Sequence, residues 1–442
     1  MASTDLTHGS IFKALIGQAV PLVLGSLFQL AYNAVDSIIA GQFIGTEALA
    51  ATGMAAPIMN ILILGISGLS MGAGVIMSTY FGEKNYEMLS KELSTLLGAG
   101  LVFSLIAAFL GVVFAVPLLS VLNVPAEALD MTVVYLRIIF CGLPFTCFYN
   151  ALSQALKSVG DSATPLKFLT FSSVLNALLD LFFIGYLGFG IMCSAMTTII
   201  SQGVAALLCA IYIKRKVAIL SFNKLTIDKS LLKTTLSFGS ITALQQACQP
   251  IGKLLIQSAV NTLGVVVIAA YNAVTRIDDF AFTPEQSISH AMTTFTAQNK
   301  GSRNIERIRE GFRKGLFLEF CYFIFIFLFV FLSKGFVMKL FVSGPDALAV
   351  SREGESYLSL MAFFYFFPAF TNGIQGFFRG EGDMKVTLIC TFIQTSVRVL
   401  FTFILVPYLG IKGIAIACAL GWSFMLLYEV PYYMHWKRKL IG

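Results

Sequence analysis

Asp36, Asn176 and Asp180 are polar residues set into otherwise apolar stretches, and their spacing could hold a cation. Gln29, Tyr32 and Asn33 precede Asp36 by seven, four and three residues, which puts all four on one face of a helix. Asn176 and Asp180 stand four apart, again on one face. An Asp at a bilayer centre costs about 2.5–3.5 kcal/mol on insertion scales, so it needs a partner or a task. Helical rise places Asp180 about 20 Å beyond Lys167 and Thr198 about 12 Å into the sixth predicted helix. Asp36 falls in the same outer part of the membrane. Two carboxylates, an amide oxygen and a hydroxyl can coordinate a hard monovalent cation such as Na⁺. The same acids, desolvated and close together, could instead bind and release a proton, because burial and like charge both disfavour ionisation. The competing interpretation is a buried hydrogen-bond network with a structural role only.

The elements that must position these residues are membrane helices. Of 442 residues, 57% are hydrophobic and 12% charged, against about 25% charged in a soluble domain. Apolar stretches long enough to cross the hydrocarbon core as helix are predicted at 14–40, 49–78, 93–116, 131–153, 164–187, 190–213, 234–262, 264–293, 314–341, 352–377, 385–407 and 411–434. The chain also repeats itself. Tyr135-Leu136, Asn150, Gly160-Asp161 and Tyr186-Leu187-Gly188 recur 222 residues later, and Gly45, Ala50-Ala51, Gly82 and Asn85 recur 219 later. Six helices per copy make the copies parallel, and duplicated transporters bind cargo between their halves. The fold expected is therefore all-α and integral to the membrane, with twelve transmembrane helices in two parallel-repeat six-helix bundles. The domains expected are an N-terminal lobe at 1–213, a basic linker at 214–233 and a C-terminal lobe at 234–442. The copies differ chemically: Asp36, Asn176 and Asp180 have Leu255, Arg398 and Thr402 as counterparts.

The net charge of +7 does not point to nucleic acid. With the N-terminus inside, 22 of the 30 Lys and Arg fall in cytoplasmic segments, the positive-inside bias, which predicts both termini in the cytoplasm. The polar first ten residues and the long first apolar segment do not read as a cleavable leader. The eight Cys fall within predicted helices without metal-ligand spacing, and the three His are scattered. No phosphate loop, metal motif or nucleophile arrangement speaks for an enzyme. The charged connectors after the second and eighth helices, Gly82–Glu87 and Gly301–Glu306, predict longer loops with a short surface helix. Lys253, Arg276, Asp278, Asp279, Glu285 and Arg398 fall inside predicted helices of the second half, either as ion pairs and helix-end charges or as a cavity wall of mixed charge.

Tyr32-Asn33-Ala34-Val35-Asp36 followed by Gly41, the Asn176-x-x-x-Asp180 pair and Gly160-Asp161 together resemble the multidrug and toxic compound extrusion family, over essentially the whole chain. That resemblance implies a V-shaped twelve-helix antiporter in a bacterial inner membrane, a monomer without cofactor. It would export bulky, often cationic small organic compounds against an inward flow of H⁺ or Na⁺. It assigns cation binding to Asp36, Asn176, Asp180 and Thr198. It places Gln29, Tyr32, Asn33 and Asn150 along the substrate cavity and makes Pro21 the point where the first helix bends. Cys193 departs from the family pattern, where Gly is usual. The seventh and tenth helices lack the acids of branches with a C-terminal cation site, so no such site is expected there. A flippase for lipids or lipid-linked oligosaccharides, from the same superfamily, is the alternative.

Overall fold

The computed structural model describes residues 5–39, 43, 46–121, 126–222, 225–342 and 346–439. These form fourteen α-helices with no strand. In chain order they are α1 (Ile11–Ile39), α2 (Thr46–Gly82), α3 (Tyr86–Val113), α4 (Ala115–Val121), α5 (Ala126–Ser158), α6 (Ala163–Asp180) and α7 (Ile191–Lys216). Then follow α8 (Lys229–Val260), α9 (Val265–Gly301), α10 (Ile305–Phe341), α11 (Ala347–Phe364), α12 (Phe366–Gly380), α13 (Met384–Leu409) and α14 (Ile411–Lys439). α4 prolongs α3, and α11 and α12 are halves of one span bent by 47°, so the fold has the twelve membrane helices that the repeat demands. Among the described residues nine helices are long and apolar enough to cross alone, and the bent pair makes a tenth. α8 and α9 have the length but are more polar, carrying Gln245, Gln246, Gln249 and Lys253, and Asp278, Asp279 and Glu285.

The bend has a local cause. Pro368 has no backbone N–H to give the carbonyl of Phe364, and its ring crowds that carbonyl. The helix therefore stops at Phe364 and restarts at Phe366.

The turns repeat as faithfully as the helices. Lys84 and Arg303 both adopt φ of +58°, and the next residues, Asn85 and Asn304, cap α3 and α10 by accepting from the N–H of Met88 (3.2 Å) and Arg307 (3.0 Å). Gly160 and Gly382, 222 residues apart, share a left-handed φ of +86° and +79°. The longer connectors with a surface helix expected after the second and eighth spans do not occur. α2 and α9 run on as helix to Gly82 and Gly301, and a tight turn reverses the chain at each place.

The chain divides into two compact units. Unit 1 comprises residues 1–8, Val20–Ala243 and Ala297–Arg303, and so takes in the start of α8 and the end of α9. Its core joins Met77 of α2, Leu89 and Leu93 of α3, Leu152 and Leu156 of α5, Ile213 of α7 and Leu220. Leu220 belongs to the segment between α7 and α8, whose backbone also accepts from Ser90 at Ile219 (3.1 Å) and donates at Asp228 to Thr95 (3.1 Å). Those contacts hold the segment against α3. Backbones in unit 1 approach very closely at glycine. A Cβ on Gly72 would stand 2.6 Å from the nitrogen of Gly239, and one on Gly82 would stand 1.9 Å from the carbonyl oxygen of Gln298. Reciprocally, a Cβ on Gly301 would lie 2.1 Å from the carbonyl oxygen of Thr79. Unit 2 comprises Gly9–Ala19, Leu244–Thr296 and residues 304–442. There α13 and α14 pack along their lengths, and a Cβ on Gly421 would stand 2.7 Å from the carbonyl oxygen of Gln394.

The atoms facing Gly82 and Gly301 are backbone and cannot swing aside. Gly82→Ala and Gly301→Ala are each expected to destabilise the protein by about 1–3 kcal/mol, the usual cost of overpacking. Gly65→Ala, in α2 with open space around it, should be neutral or slightly stabilising. Thermal unfolding of the three purified variants checks this ordering.

Candidate functional site

The fifth membrane helix carries the site in unit 1. α6 positions Asn176 and Asp180 one turn apart on its inner face, where each is 1% exposed. Directly after Asp180 the helix widens into a π-helical turn, Leu181–Tyr186, a distortion that occurs often at functional sites. Tyr32 of α1 donates its hydroxyl to Oδ1 of Asn176, joining α1 to α6. Thr197 of α7 donates its hydroxyl to Oδ1 of Asp180 and also lies 2.9 Å from the Ser194 carbonyl. Three helices thus converge on two buried polar groups. An amide oxygen has two lone pairs, so Asn176 can keep Tyr32 and still face an ion.

The hydroxyl that reaches Asp180 belongs to Thr197, whereas the residue expected there is Thr198. Thr198 donates to the Ser194 carbonyl (2.9 Å) and is only half-buried. Adjacent residues on a helix differ by about 100° in direction, so only one of the pair can face α6. Neither the spacing nor the depth of the two threonines separates them; the rotational phase of α7 does. Asn33 and Asp36 are helical in α1, and their side chains lie outside the described residues.

The expected cavity residues are dispersed. Tyr32 is half-buried and tied to Asn176. Gln29 is exposed. Asn150 of α5 is half-buried and spends a donor on the Thr146 carbonyl one turn back (2.8 Å). Pro21 lies inside α1, which continues through it as helix. A groove of about 530 Å³ runs between α1 and α6, lined by Leu24, Phe28, Leu166, Lys167, Thr170 and Phe171. The site residues Tyr32, Asn176 and Asp180 are not among its lining. Among the described residues no three His, Cys, Asp or Glu side chains converge as a metal ligand set.

Unit 2 sorts its charges differently. Asp278 of α9 is 7% exposed and accepts from the hydroxyls of Tyr357 and Tyr365, each at 2.7 Å. Tyr365 occupies the break between α11 and α12, so the bend delivers that hydroxyl to the acid. Lys253 of α8 and Asp279 of α9 form a half-exposed ion pair at 2.6 Å, and Arg276 is exposed. Arg398 of α13 lies close enough to Asp278 for their charges to interact. At the positions matching Asn176 and Asp180, Thr402 donates to the backbone carbonyl of Arg398 (2.7 Å). Sequence reasoning did not single out Glu92 of α3, which is fully buried and accepts from Thr235 (2.5 Å), nor the buried Glu319 and Glu429. For Glu319 and Glu429 the signal is a lone acid inside an apolar helix; Glu92, beside Lys91 in the second turn of α3, carries no such signal.

The family model MatE matches residues 21–182 and 242–404, the two copies of the repeat. The chain is 30% identical over 446 residues to the probable multidrug resistance protein YpnP of Bacillus subtilis, spanning 99% of this chain and 98% of that protein. It is 25% identical over 315 residues to an FAD transporter of Shewanella oneidensis, 69% of each. Among solved structures, a MOP superfamily transporter from Pyrococcus furiosus, described as having a binding pocket of reversed polarity, superposes with a TM-score of 0.89 at 24% identity. That match covers 99% of this chain and 97% of the other, and at such identity it speaks for the fold. The family model covers both halves of the duplication and most of the chain, and this protein therefore belongs to the MatE family of multidrug and toxic compound extrusion transporters.

Proposed function

We propose that this transporter is a cation-coupled antiporter that exports bulky organic, often cationic, compounds by alternating access, with H⁺ or Na⁺ as the coupling ion. The observation that carries the reading is Asp180: an acid 1% exposed, held by Thr197, one helical turn from an Asn176 that α1 engages through Tyr32. Asp36, Asn176, Asp180 and a threonine of α7 would bind the ion. Gln29, Tyr32, Asn33 and Asn150 would line the cargo path, and Pro21 would be the pivot of α1. A ligand shifts a conformational equilibrium only by its differential affinity for the two states. Ion and cargo must therefore favour opposite states or exclude one another. The protein would work as a monomer in a bacterial inner membrane with both termini in the cytoplasm, without a cofactor.

A second reading, a flippase for lipids or lipid-linked oligosaccharides, draws support from Lys253 and Arg398, whose cationic groups in unit 2 would suit phosphate-bearing cargo. Accumulation of lipid precursors in cells lacking the protein separates it from drug export.

In proteoliposomes, efflux of a fluorescent organic cation should follow an imposed pH or Na⁺ gradient. Asp180→Asn and Asp36→Asn should each slow gradient-driven efflux at least about tenfold, the equivalent of about 1.4 kcal/mol. Normal efflux from Asp180→Asn would sink the assignment. Tyr32→Phe and Thr197→Val each remove one hydrogen bond of about 1 kcal/mol. They should weaken the apparent affinity for the ion roughly fivefold. Thr198→Val should have a smaller effect than Thr197→Val, because both hydroxyls meet the Ser194 carbonyl but the one that reaches Asp180 is that of Thr197.

A further inference from the structure

Glu285 of α9 and Glu319 of α10 take no part in the aspartate–tyrosine cluster or the Lys253–Asp279 pair of unit 2. Each is 0% exposed, and among the described residues their four carboxyl oxygens close no well-formed hydrogen bond, although the Asn372 amide approaches Glu285. They lie at matched depth: helical rise puts Glu285 about 24 Å from Gly301 and Glu319 about 21 Å from Ile305. Their charges are close enough to interact. The other groups facing them are Tyr322 of α10, Tyr365 at the helix break and Asn372 of α12. No ion pair among the described residues reaches either glutamate. Glycine brings the third wall in: a Cβ on Gly373 would stand 2.6 Å from Cδ2 of Leu316 and 3.6 Å from Cγ of Glu319. One turn beyond Glu285, Ser289 donates to the carbonyl of Asn372 (2.6 Å), fixing α9 against α12.

An isolated buried carboxylate costs several kcal/mol even after relaxation, and a second one beside it adds repulsion. Among the described residues no cation offsets that, and the donors beside them are neutral: the Asn372 amide, and the Tyr322 and Tyr365 hydroxyls, which donate elsewhere. A hard metal ion would need a shell of oxygens, and beyond the two carboxyls the walls offer an amide and two phenols. A proton needs only one oxygen. We propose that Glu285 and Glu319 form a second proton-binding site, within unit 2, which takes up and releases H⁺ during transport. Proton binding itself stands on this geometry, while its use in transport rests on the coupled-antiport reading above. When a proton leaves, the remaining negative charge falls to the nearest donors. These are the Asn372 amide and the Tyr322 hydroxyl, which in this structure donates to the carbonyl of Ala281 (2.9 Å).

The test is infrared difference spectroscopy of the full-length protein in lipid nanodiscs, following the stretching band of protonated carboxyl groups as the pH is stepped. The wild type and Asp180→Asn should both keep a protonated-carboxyl band in alkaline buffer where surface carboxyls have ionised. Glu285→Gln and Glu319→Gln should each remove part of it, and the double variant more than either, leaving the share of the other buried acids such as Glu429. If a Gln variant fails to fold, residue-specific labelling of the wild type still decides. Dicyclohexylcarbodiimide, which attacks protonated carboxyls in apolar surroundings, should label Glu285 or Glu319, as mapped by mass spectrometry. Loss of the band together with the surface carboxyls, or absence of label on both residues, would overturn the site. So would loss of the band when Na⁺ is added at constant pH, which would make it a metal-ion site. Either result alongside an Asp180→Asn variant that cannot export would reject this site and leave the antiport reading standing; an intact band with normal export by Asp180→Asn would do the reverse.

Discussion

A carboxylate inside hydrocarbon must be hidden, partnered or neutralised, and much of this fold follows from that requirement. Glu92, Asp180, Glu285, Glu319 and Glu429 are each at most 1% exposed, so each has been turned from lipid into the bundle. Turning them inward demands close walls, since a loose cavity would admit water and forfeit packing. Glycine at the crossings supplies the closeness, and Ser and Thr supply oxygen without bulk. Many of those hydroxyls donate to a carbonyl one turn back in the same helix, as Thr402 does to Arg398 and Thr235 to Leu231. They can sit in an apolar span without needing a partner from another helix. Thr197 and Thr235 go further, because each can also reach an acid on a neighbouring helix, Asp180 and Glu92.

The membrane class, the twelve spans and the duplication are legible in the chain because each is a statement about many residues at once. Asn176 and Asp180 are legible because four residues on a helix fix a shared face whatever surrounds it. What escapes is anything that depends on rotation about a helix axis. Thr197 and Thr198 are chemically alike, and nothing local says which of them α6 will meet. The break at Tyr365 escapes for a related reason: Pro368 predicts a disturbed helix, but the use made of the bend, delivering a phenol to Asp278, depends on where α9 lies. Glu319, between Leu318 and Phe320 in a helix crowded with phenylalanine, is conspicuous by its type. Its neighbour Glu285 is 34 positions away in the chain and becomes its neighbour only in the folded bundle.

The duplicated halves have kept their turns and parted in their chemistry. Lys84 and Arg303 share an unusual backbone angle, and the asparagines after them cap helices in the same way. Where the first copy sets an amide and an acid on one face of α6, the second sets Arg398 and Thr402 on α13. The acids of the second copy lie elsewhere, on α9, α10 and α14. A backbone turn is constrained by sterics that any sequence must meet, whereas an ion site needs only a few side chains to converge somewhere in a bundle. The scaffold therefore repeats and the sites do not.

The glycines at 82 and 301 carry this further. Each lies against the backbone of the other copy's helix, near Gln298 and Thr79, with less than a methyl group's room. Two such positions form a single mutational unit: enlargement at either one is vetoed by a main chain that no side-chain change can move. The two halves of the gene are thereby tethered at this crossing, and drift in one is limited by the other. The side chains at Asp180 and Thr402 already differ between the copies, so at that position one half has changed without the consent of its twin.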